Sequence, residues 1–379
     1  MFNRYLTLQA NLEKKSLLLL GPRQTGKSTL ITQQLPGVYT VNLAERDTYR
    51  RFSAHPELLR QQLPEQCPLF VVDEAQLLPE IFDEVQVILD RNKSVRALLT
   101  GSSSRKLRRK GVNLLPGRIW SKNLHPLISA ELPTSRVADR LVRGSLPGII
   151  DSEHFREELL NYVGIYLEQE IRAEGVTRSV GDFSRFLTAA ALSNAEQVNY
   201  SKISNDTTVK INTVRAYYEI LQDTLLGYLL EPFRGTKHRK AVSTPKFYLF
   251  DTGVVNGILN RFEVTPQTEI YGKMLEHLLF LELKAFLDYE RPGAQLNYWR
   301  SLSRIEVDFL INEEIAIEVK SGTSVSLQDE KPLRILAEEI ALKRRIIVCN
   351  EPLPRRTESG TEIMPVEHFC AEVWSGSVC

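Results

Sequence analysis

The sequence predicts an α/β protein, from two patterns at opposite ends of the 379-residue chain. Near the start, the apolar runs Leu17–Leu20 and Leu69–Val72 each end in glycine or acidic residues and precede a helical segment. Such runs are typical of buried parallel strands. Toward the end, a long apolar helix at Tyr271–Leu287 precedes several strand-like runs. The chain length predicts two or three domains.

The composition limits the classes of protein that this chain can belong to. It is 42% hydrophobic and 25% charged, with a formal net charge of +1, which is ordinary for a globular protein. A strongly basic surface over the whole molecule is excluded, so a nucleic-acid surface must be a local patch. The four cysteines lack metal-binding spacing, which predicts reduced thiols. Without signal-peptide or membrane-spanning patterns, we expect a cytoplasmic protein and no membrane partner.

The first apolar run leads into a phosphate-binding pattern, GPRQTGKST. It satisfies G-x-x-x-x-G-K-[ST], in which the glycines let backbone N–H groups face phosphate. Lys27 is expected to reach the β- and γ-phosphates of ATP, and Ser28 to hold Mg²⁺ with its hydroxyl. A chance glycine-rich turn is the alternative. The predicted nucleotide-binding residues are Gly21, Pro22, Arg23, Gln24, Thr25, Gly26, Lys27, Ser28 and Thr29.

The second apolar run ends in the acidic pair Asp73 and Glu74. We expect Asp73 to bind Mg²⁺, through water, and Glu74 to polarise the attacking water. The alternative is that both carboxylates only favour the positive end of a following helix.

Hydroxyl and arginine side chains supply further candidates. The predicted strand Val95–Ser104 ends in hydroxyls, so Thr100 or Ser102 is expected to contact the γ-phosphate or position the water; plain turn formation is the alternative. Arg118 is a candidate for stabilising transition-state charge at a neighbouring subunit's site. An ordinary surface or ion-paired arginine is the alternative for Arg118.

The segments GPRQTGKST, VVDEAQ, LLTGSS and LPGR…PLISAEL resemble prokaryotic AAA-type ATPases that carry a C-terminal domain of unknown function with a nuclease-like core. The resemblance covers nearly the whole chain in the same order. It implies an ATPase of the additional-strand P-loop class, with ATP and Mg²⁺ as cofactors, but it leaves the biological role open. The residues that it carries over are Lys27, Ser28, Asp73, Glu74, Thr100 and Arg118; the lid arginine that such proteins often have is not assigned.

The middle of the chain predicts a helical lid followed by a winged helix-turn-helix. Helical spacing in FREELLNYVGIYLEQEIRAEG indicates the lid. In the next module, Ser201 and Asn212 suit helix N-caps, and the helix from Asn212 is the expected recognition helix. The wing is predicted at Phe233–Val242. Candidate phosphate-contacting residues are Lys210, Thr213, Arg215, Arg234, Lys237, Arg239 and Lys240.

Two alternatives stay open for these basic segments. The winged module could pack the outer domains together without touching nucleic acid. A further basic segment, Ser104–Gly111, could be a solvated loop or an element that faces DNA.

The stretch EVDFLINEEIAIEVKSG places charged residues inside apolar, strand-like segments. Period-two spacing puts Glu318 and Lys320 on one strand face, and antiparallel pairing would bring Asp308 alongside. Two carboxylates there, with Glu276 from the preceding helix, predict a Mg²⁺ site. Lys320 is expected to orient or deprotonate the attacking water, or to stabilise developing charge on phosphate.

These residues and the order helix–strand–strand–strand–helix–strand resemble the restriction-endonuclease-like, PD-(D/E)xK core. The resemblance implies a nuclease or a DNA-binding relative that has lost cleavage. The alternative is that the three charges merely decorate strands, although unpaired charges facing a core are costly.

The expected organisation is an ATPase core at 1–135, a helical lid at 136–180, a winged module at 181–242 and a nuclease-like domain at 243–379. The leading hypothesis is a Mg²⁺-dependent ATPase acting on duplex or branched DNA, assembled as a homo-oligomer. A nucleotide-controlled regulatory switch that binds a protein partner, and an ATP-gated nuclease, are the alternatives.

Overall fold

A computed structural model describes residues 2–102, 115, 117–132, 136–167 and 180–378. For residues 166 and 167 it describes the backbone only. The chain divides into two compact units. The first contains Met1–His125 and Glu219–Leu226, and the second contains Pro126–Tyr218 and Gly227–Cys379. The finer division into four domains stays a prediction. The whole basic segment Ser104–Gly111 and residues 168–179, which include the end of the predicted lid segment, lie outside the described residues.

The first unit is an α/β layer structure. Its helices are α1 Leu8–Leu12, α2 Lys27–Gln34, α3 Arg46–Ala54, α4 Leu58–Gln62 and α5 Ile81–Arg91. Its strands are β1 Ser16–Leu20, β2 Tyr39–Asn42, β3 Leu69–Asp73, β4 Arg96–Gly101 and β5 Ile119–Asn123.

These strands form a parallel sheet in the order β2-β3-β4-β1-β5. Every residue of β1 is buried, as the continuous apolar run predicted. Strand β4 lies between β1 and β3, which is the placement implied by the additional-strand class. The phosphate loop after β1 and the acidic pair at the end of β3 therefore lie at the same, carboxyl-terminal edge of the sheet.

The second unit begins with helices and a small sheet. The helices are α6 Val137–Arg143, α7 Phe155–Asn161, α8 Val180–Leu192, α9 Tyr200–Thr207 and α10 Ile211–Asp223, whose last residues are assigned to the first unit. Strands β6 Glu196–Gln197, β7 Gly227–Leu230 and β8 Lys246–Leu249 pair antiparallel in the order β6-β8-β7.

The predicted helix starts in this region are wrong by one or two residues. Asn199, not Ser201, caps α9, because its side chain accepts a hydrogen bond from the Lys202 N–H. Helix α10 already begins at Ile211, so Asn212 lies inside its first turn. Both polar residues suit an N-cap by type, and sequence alone could not choose between neighbouring positions.

The loop that joins β7 to β8, residues 231–245, contains the predicted wing. It packs on the last part of the chain: Phe233 belongs to the core there, and Ala241 forms a bridge with Ser301. Arg239 makes ion pairs with Glu338 and Glu339. Arg239 is thus engaged within the protein, and its expected role as a phosphate contact stays a prediction.

The remainder of the second unit is α/β. Its helices are α11 Thr252–Leu259, α12 Glu269–Glu290, α13 Lys331–Glu339 and α14 Val366–Trp374. Its strands are β9 Leu296–Arg300, β10 Glu306–Ile311, β11 Ile315–Val319, β12 Arg344–Cys349, β13 Arg355–Arg356 and β14 Glu362–Pro365.

These strands form one mixed sheet in the order β13-β14-β12-β11-β10-β9. The pairs β9–β10 and β10–β11 are antiparallel, whereas β11–β12 is parallel, with α13 as the crossover. The predicted order helix–strand–strand–strand–helix–strand is confirmed. Helix α12 buries the predicted apolar face, since Leu275, Leu278 and Leu283 are fully inaccessible. No helix in the described ranges is long and apolar enough to cross a membrane.

Candidate functional site

The phosphate loop has the backbone geometry that its glycines allow. Gly21 approaches the Leu124 carbonyl so closely that a Cβ would lie 2.6 Å from that oxygen. Gly26 precedes α2 with φ 91°, in the left-handed region that favours glycine. Lys27 Nζ donates to the Gly21 and Pro22 carbonyls at 2.7 and 3.1 Å, so the ammonium lies over the loop.

The loop borders a pocket of about 560 Å³ at the amino end of α2. This volume suits a small-molecule ligand. The N-terminus of a helix attracts phosphate, because its first N–H groups have no partner inside the helix. The lining residues include Arg23, Gln24, Gly26, Lys27, Ser28, Thr29 and Glu74.

The predicted magnesium residues lie together at the carboxyl edge of the sheet. Ser28 Oγ donates to Asp73 Oδ2 at 3.0 Å. Thr100, at the end of β4, donates to the other oxygen of Asp73. A hydroxyl and a carboxylate that already converge beside a phosphate loop fit Mg²⁺, whose role would be to neutralise phosphate charge. Asp73 and Ser28 would hold the ion, and Thr100 fixes the Asp73 carboxylate.

Glu74 is held by a residue that the sequence analysis did not identify. Its backbone is left-handed, with φ 56°, and its N–H donates to Thr100 Oγ1 at 3.0 Å. Gln76 Nε2 donates both to Glu74 Oε2 and to Ser102 Oγ, the latter at 3.3 Å. Gln76 is 3% exposed. The proposed water-polarising carboxylate is therefore oriented by Gln76, and the quoted segment VVDEAQ already contains this residue.

Arg4 is a second residue of this site that no sequence pattern indicated. Its guanidinium donates to the Thr25 carbonyl at 2.5 Å and to the His125 carbonyl at 2.6 Å. The side chain thus stabilises the phosphate loop through a hydrogen bond to the backbone of one loop residue, Thr25.

Arg118 lies away from the phosphate loop of its own chain. It precedes β5, whose first residue pairs with Ser16 at the amino end of β1, whereas the loop follows the carboxyl end of β1. Its guanidinium donates to both carboxylate oxygens of Asp90, at 2.8 and 3.0 Å. The expected action of Arg118 at a neighbouring subunit's site stays a prediction.

The second predicted site contains a buried lysine. We use "carboxylate cluster" for Glu276, Glu306, Asp308 and Glu318. Lys246 Nζ lies 2.9 Å from Glu276 Oε1 and 2.5 Å from Glu306 Oε1. It also lies 3.4 Å from Asp308 Oδ1. Burial alone would lower the pKa of Lys246, but the surrounding carboxylates outweigh burial and hold that pKa well above its usual value.

Glu318 and Lys320 form the other half of this site. Lys320 Nζ donates to Glu318 Oε1 at 2.8 Å, and the Val319 N–H donates to Asp308 Oδ2 at 2.9 Å. Burial, reinforced by the Asp308 carboxylate, raises the pKa of Glu318 well above its usual value despite Lys320. Glu318 Oε2 accepts no hydrogen bond from the described residues.

The structure thus brings Glu276, Asp308, Glu318 and Lys320 together, as the sequence predicted, but around an ammonium group. Within the described ranges, no group of three or more histidine, cysteine or acidic side chains is placed to hold a metal ion. In this structure the place between Glu276, Glu306 and Asp308 is taken by Lys246 Nζ, and the expected Mg²⁺ site stays a prediction. Sequence analysis missed Lys246 and Glu306, although PKFY is an apolar strand that starts with a lysine and IEVDF carries a second acidic residue two positions before Asp308.

Comparison with protein families identifies the first segment. Residues 13–132 match an AAA domain. Together with the parallel sheet and the phosphate loop, this match gives the first unit the fold of an AAA-type P-loop ATPase. Residues 134–265 and 271–369 match two domains of unknown function, DUF8612 and DUF4143.

Curated relatives include uncharacterized proteins of Mycobacterium bovis and Mycobacterium tuberculosis. Each is 28% identical over 349 residues, which is 88% of this chain and 76% of the relative. Among solved structures, a signal transduction ATPase with numerous domains and a tetratricopeptide repeat sensor, from Pyrococcus horikoshii, is 15% identical with a TM-score of 0.24. That match covers 77% of this chain but only 48% of the other. So low a TM-score supports no inference about function.

Proposed function

We propose that the protein is a Mg²⁺-dependent ATP hydrolase that acts on DNA. The observation that carries the hydrolase part is the convergence of Lys27, Ser28, Asp73 and Glu74 beside one pocket. Phosphoryl transfer needs positioning and charge neutralisation rather than a covalent intermediate, and these residue types supply both. Glu74 would orient the attacking water, and Lys27 would neutralise the transferred phosphoryl group.

The DNA part of the proposal is supported by exposed cations on the second unit. Arg234, Lys237 and Lys240 are exposed on the loop between β7 and β8. Lys210 and Arg215 are exposed at the start of α10, the expected recognition helix. Cations at the start of a helix and on a hairpin loop suit contacts to phosphate groups. Local cations of this kind agree with a net charge close to zero.

The C-terminal sheet supports DNA binding by its likeness in element order to restriction-endonuclease-like cores. Because Lys246 lies among the carboxylates, we propose that this domain binds DNA and does not cut it. The same observation favours a second candidate function. A nucleotide-controlled switch would use this domain as a platform for a protein partner.

A first experiment measures ATP hydrolysis in Mg²⁺ with duplex, single-stranded and four-way junction DNA. Lys27→Ala should lower turnover by at least ~100-fold with every DNA. A triple variant that replaces Arg234, Lys237 and Lys240 by alanine should keep basal turnover and lose most of the DNA stimulation. Each lost phosphate contact should also reduce the slope of log affinity against log salt by about 1.

The matched control removes three exposed cations elsewhere, by replacing Arg46, Arg50 and Lys331 with alanine. This control has the same change in net charge and should keep the stimulation. If the wild-type protein hydrolyses ATP and no DNA changes its turnover, the proposed action on DNA is wrong. The nucleotide-controlled switch is then the better explanation.

A further inference from the structure

We propose that the ammonium of Lys246 is the resident cation of the carboxylate cluster, so that the site works without a divalent metal. The inference concerns the second unit alone and stands whether or not the first unit hydrolyses ATP. It rests on where the cluster's oxygens converge, on how firmly Lys246 is held there, and on the balance of charges.

The oxygens of the cluster converge on Lys246 Nζ. Contacts of 2.9 Å to Glu276, 2.5 Å to Glu306 and 3.4 Å to Asp308 place one atom at the centre of three carboxylates from α12 and β10. A divalent metal needs the same central position, since it requires several oxygens within about 2.0–2.6 Å of one point. The ammonium and a metal ion therefore compete for one place.

Lys246 is fixed in this position by the backbone around it. It is the first residue of β8 and pairs with Gln197 on one side and Leu230 on the other. Its side chain is 3% exposed, and Nζ lies 5.4 Å from the centre of the Tyr298 ring. Because a buried side chain on the central strand of a small sheet is closely packed, an entering ion would have to displace it against its neighbours.

The ion pairs around the cluster show why a cation is needed at its centre. Arg300 Nη1 contacts Glu306 at 2.7 Å, and Lys320 contacts Glu318 at 2.8 Å. Within the described residues, Lys246 is the cation that forms ion pairs with both Glu276 and Asp308. Leaving buried charges uncompensated is strongly destabilising. A metal ion bound in addition to Lys246 would add positive charge to a site that is already partly neutralised.

The test is Mn²⁺ binding to the full-length chain, followed by electron paramagnetic resonance without nucleotide. Every protein carries Ser28→Ala, which weakens the metal site of the phosphate loop. The parent protein should show no saturable Mn²⁺ site. Lys246→Gln should gain one Mn²⁺ per chain, and adding Asp308→Asn to it should remove that site. Lys320→Gln is the matched control, because it removes a neighbouring lysine without vacating the central position, and should gain no site.

Two outcomes would overturn the proposal. One is a Mn²⁺ site in the parent protein that disappears on Asp308→Asn. The other is a folded Lys246→Gln protein that binds no Mn²⁺. If Lys246→Gln does not fold, nitrogen-15 NMR of the lysine ammonium groups in the parent protein decides. A slowly exchanging Lys246 signal that millimolar Mg²⁺ leaves unchanged supports the proposal, and its displacement by Mg²⁺ contradicts it.

Discussion

At the residue scale, the predicted catalytic carboxylates of the nucleotide site are held by neighbouring side chains. Thr100 orients Asp73, and Gln76 orients Glu74. Thr100 lies at the end of β4 and Gln76 lies just after β3, and these two strands are neighbours in the sheet. The predicted chemistry of Asp73 and Glu74 therefore depends on neighbours that fix their positions.

Gln76 offers a test of this point. Gln76→Leu removes the hydrogen bonds to Glu74 and Ser102 while keeping side-chain volume. We expect kcat for ATP hydrolysis to fall about 10-fold, since a misplaced general base loses part of its contribution. KM for ATP should stay the same, because Gln76 is not among the residues that line the pocket. Steady-state kinetics in saturating Mg²⁺ measures both parameters.

Gln61→Leu, the same substitution at an exposed position of α4, is the control for Gln76→Leu and should leave kcat unchanged. A Gln76→Leu enzyme with unchanged kcat and a raised KM would mean that Gln76 supports the shape of the pocket instead of the position of Glu74.

At the element scale, sequence periodicity predicted most strands because their apolar runs are buried on both faces. All five residues of β1 are buried, and β10 has five buried residues of six. Sequence periodicity could not predict which distant side chains converge. Lys246 is 30 residues from Glu276 and 62 residues from Asp308. No local spacing in the sequence predicts these contacts, because they depend on how the hairpin of β7 and β8 packs against α12 and β10.

The loop between β7 and β8 is also held by contacts with residues far away in the sequence, and these contacts can be tested. Glu339 accepts hydrogen bonds from the His238 N–H and from the Arg239 side chain, each at 2.7 Å. These contacts hold the loop against α13. Glu339→Gln should weaken both contacts and let the loop open more often. We expect amide hydrogen exchange in residues 231–245 to become about 10-fold faster. Glu338→Gln, which changes the more exposed partner of Arg239, should have a smaller effect.

Exchange by mass spectrometry checks this expectation. If the loop exchanged equally slowly in Glu339→Gln and wild type, then the apolar contacts of Phe233 would be the ones that hold it, and the ion pairs would be incidental.

At the scale of the whole molecule, buried polar groups connect the parts of the second unit. Arg140 on α6 lies 2.5 Å from Glu282 on α12, with side-chain exposures of 2% and 0%. Glu282 also accepts from the Ser129 N–H and from the Trp374 indole on α14. The segment after His125 is thereby joined to the C-terminal helices through one carboxylate.

Arg140→Met should therefore destabilise the second unit by about 3–5 kcal/mol, because it leaves Glu282 buried without its cation. Adding Glu282→Gln should recover part of the loss, since the remaining group is then neutral. Urea unfolding followed by tryptophan fluorescence measures both changes in a Trp120→Phe background, where Trp299 and Trp374 report on the second unit. Equal stability of single and double variants would show that charge compensation is not what Arg140 contributes.

The pH dependence of stability should reflect His277, which is fully buried on α12. Its Nε2 lies 2.5 Å from the Leu249 carbonyl and its Nδ1 lies 3.1 Å from Asn194 Nδ2, so one neutral tautomer satisfies both contacts. Burial lowers the pKa of His277 to about 4, although the contact with Leu249 raises it. The unfolded chain, with an ordinary histidine pKa, therefore takes up a proton at higher pH than the folded chain does.

The stability that neutral His277 contributes is complete above about pH 6.5 and is lost as the pH falls toward 4, with a total of about 3 kcal/mol. His277→Gln keeps a donor for Leu249 and removes the titration, so its urea midpoint should fall less steeply between pH 6.5 and 4.5 than that of the parent. The difference between the two curves isolates this residue, because the carboxylates that titrate in the same range are shared. Parallel curves would mean that His277 takes up its proton over the same pH range in the folded and unfolded chains, and the Asn194 side chain would then have to turn its oxygen toward the ring.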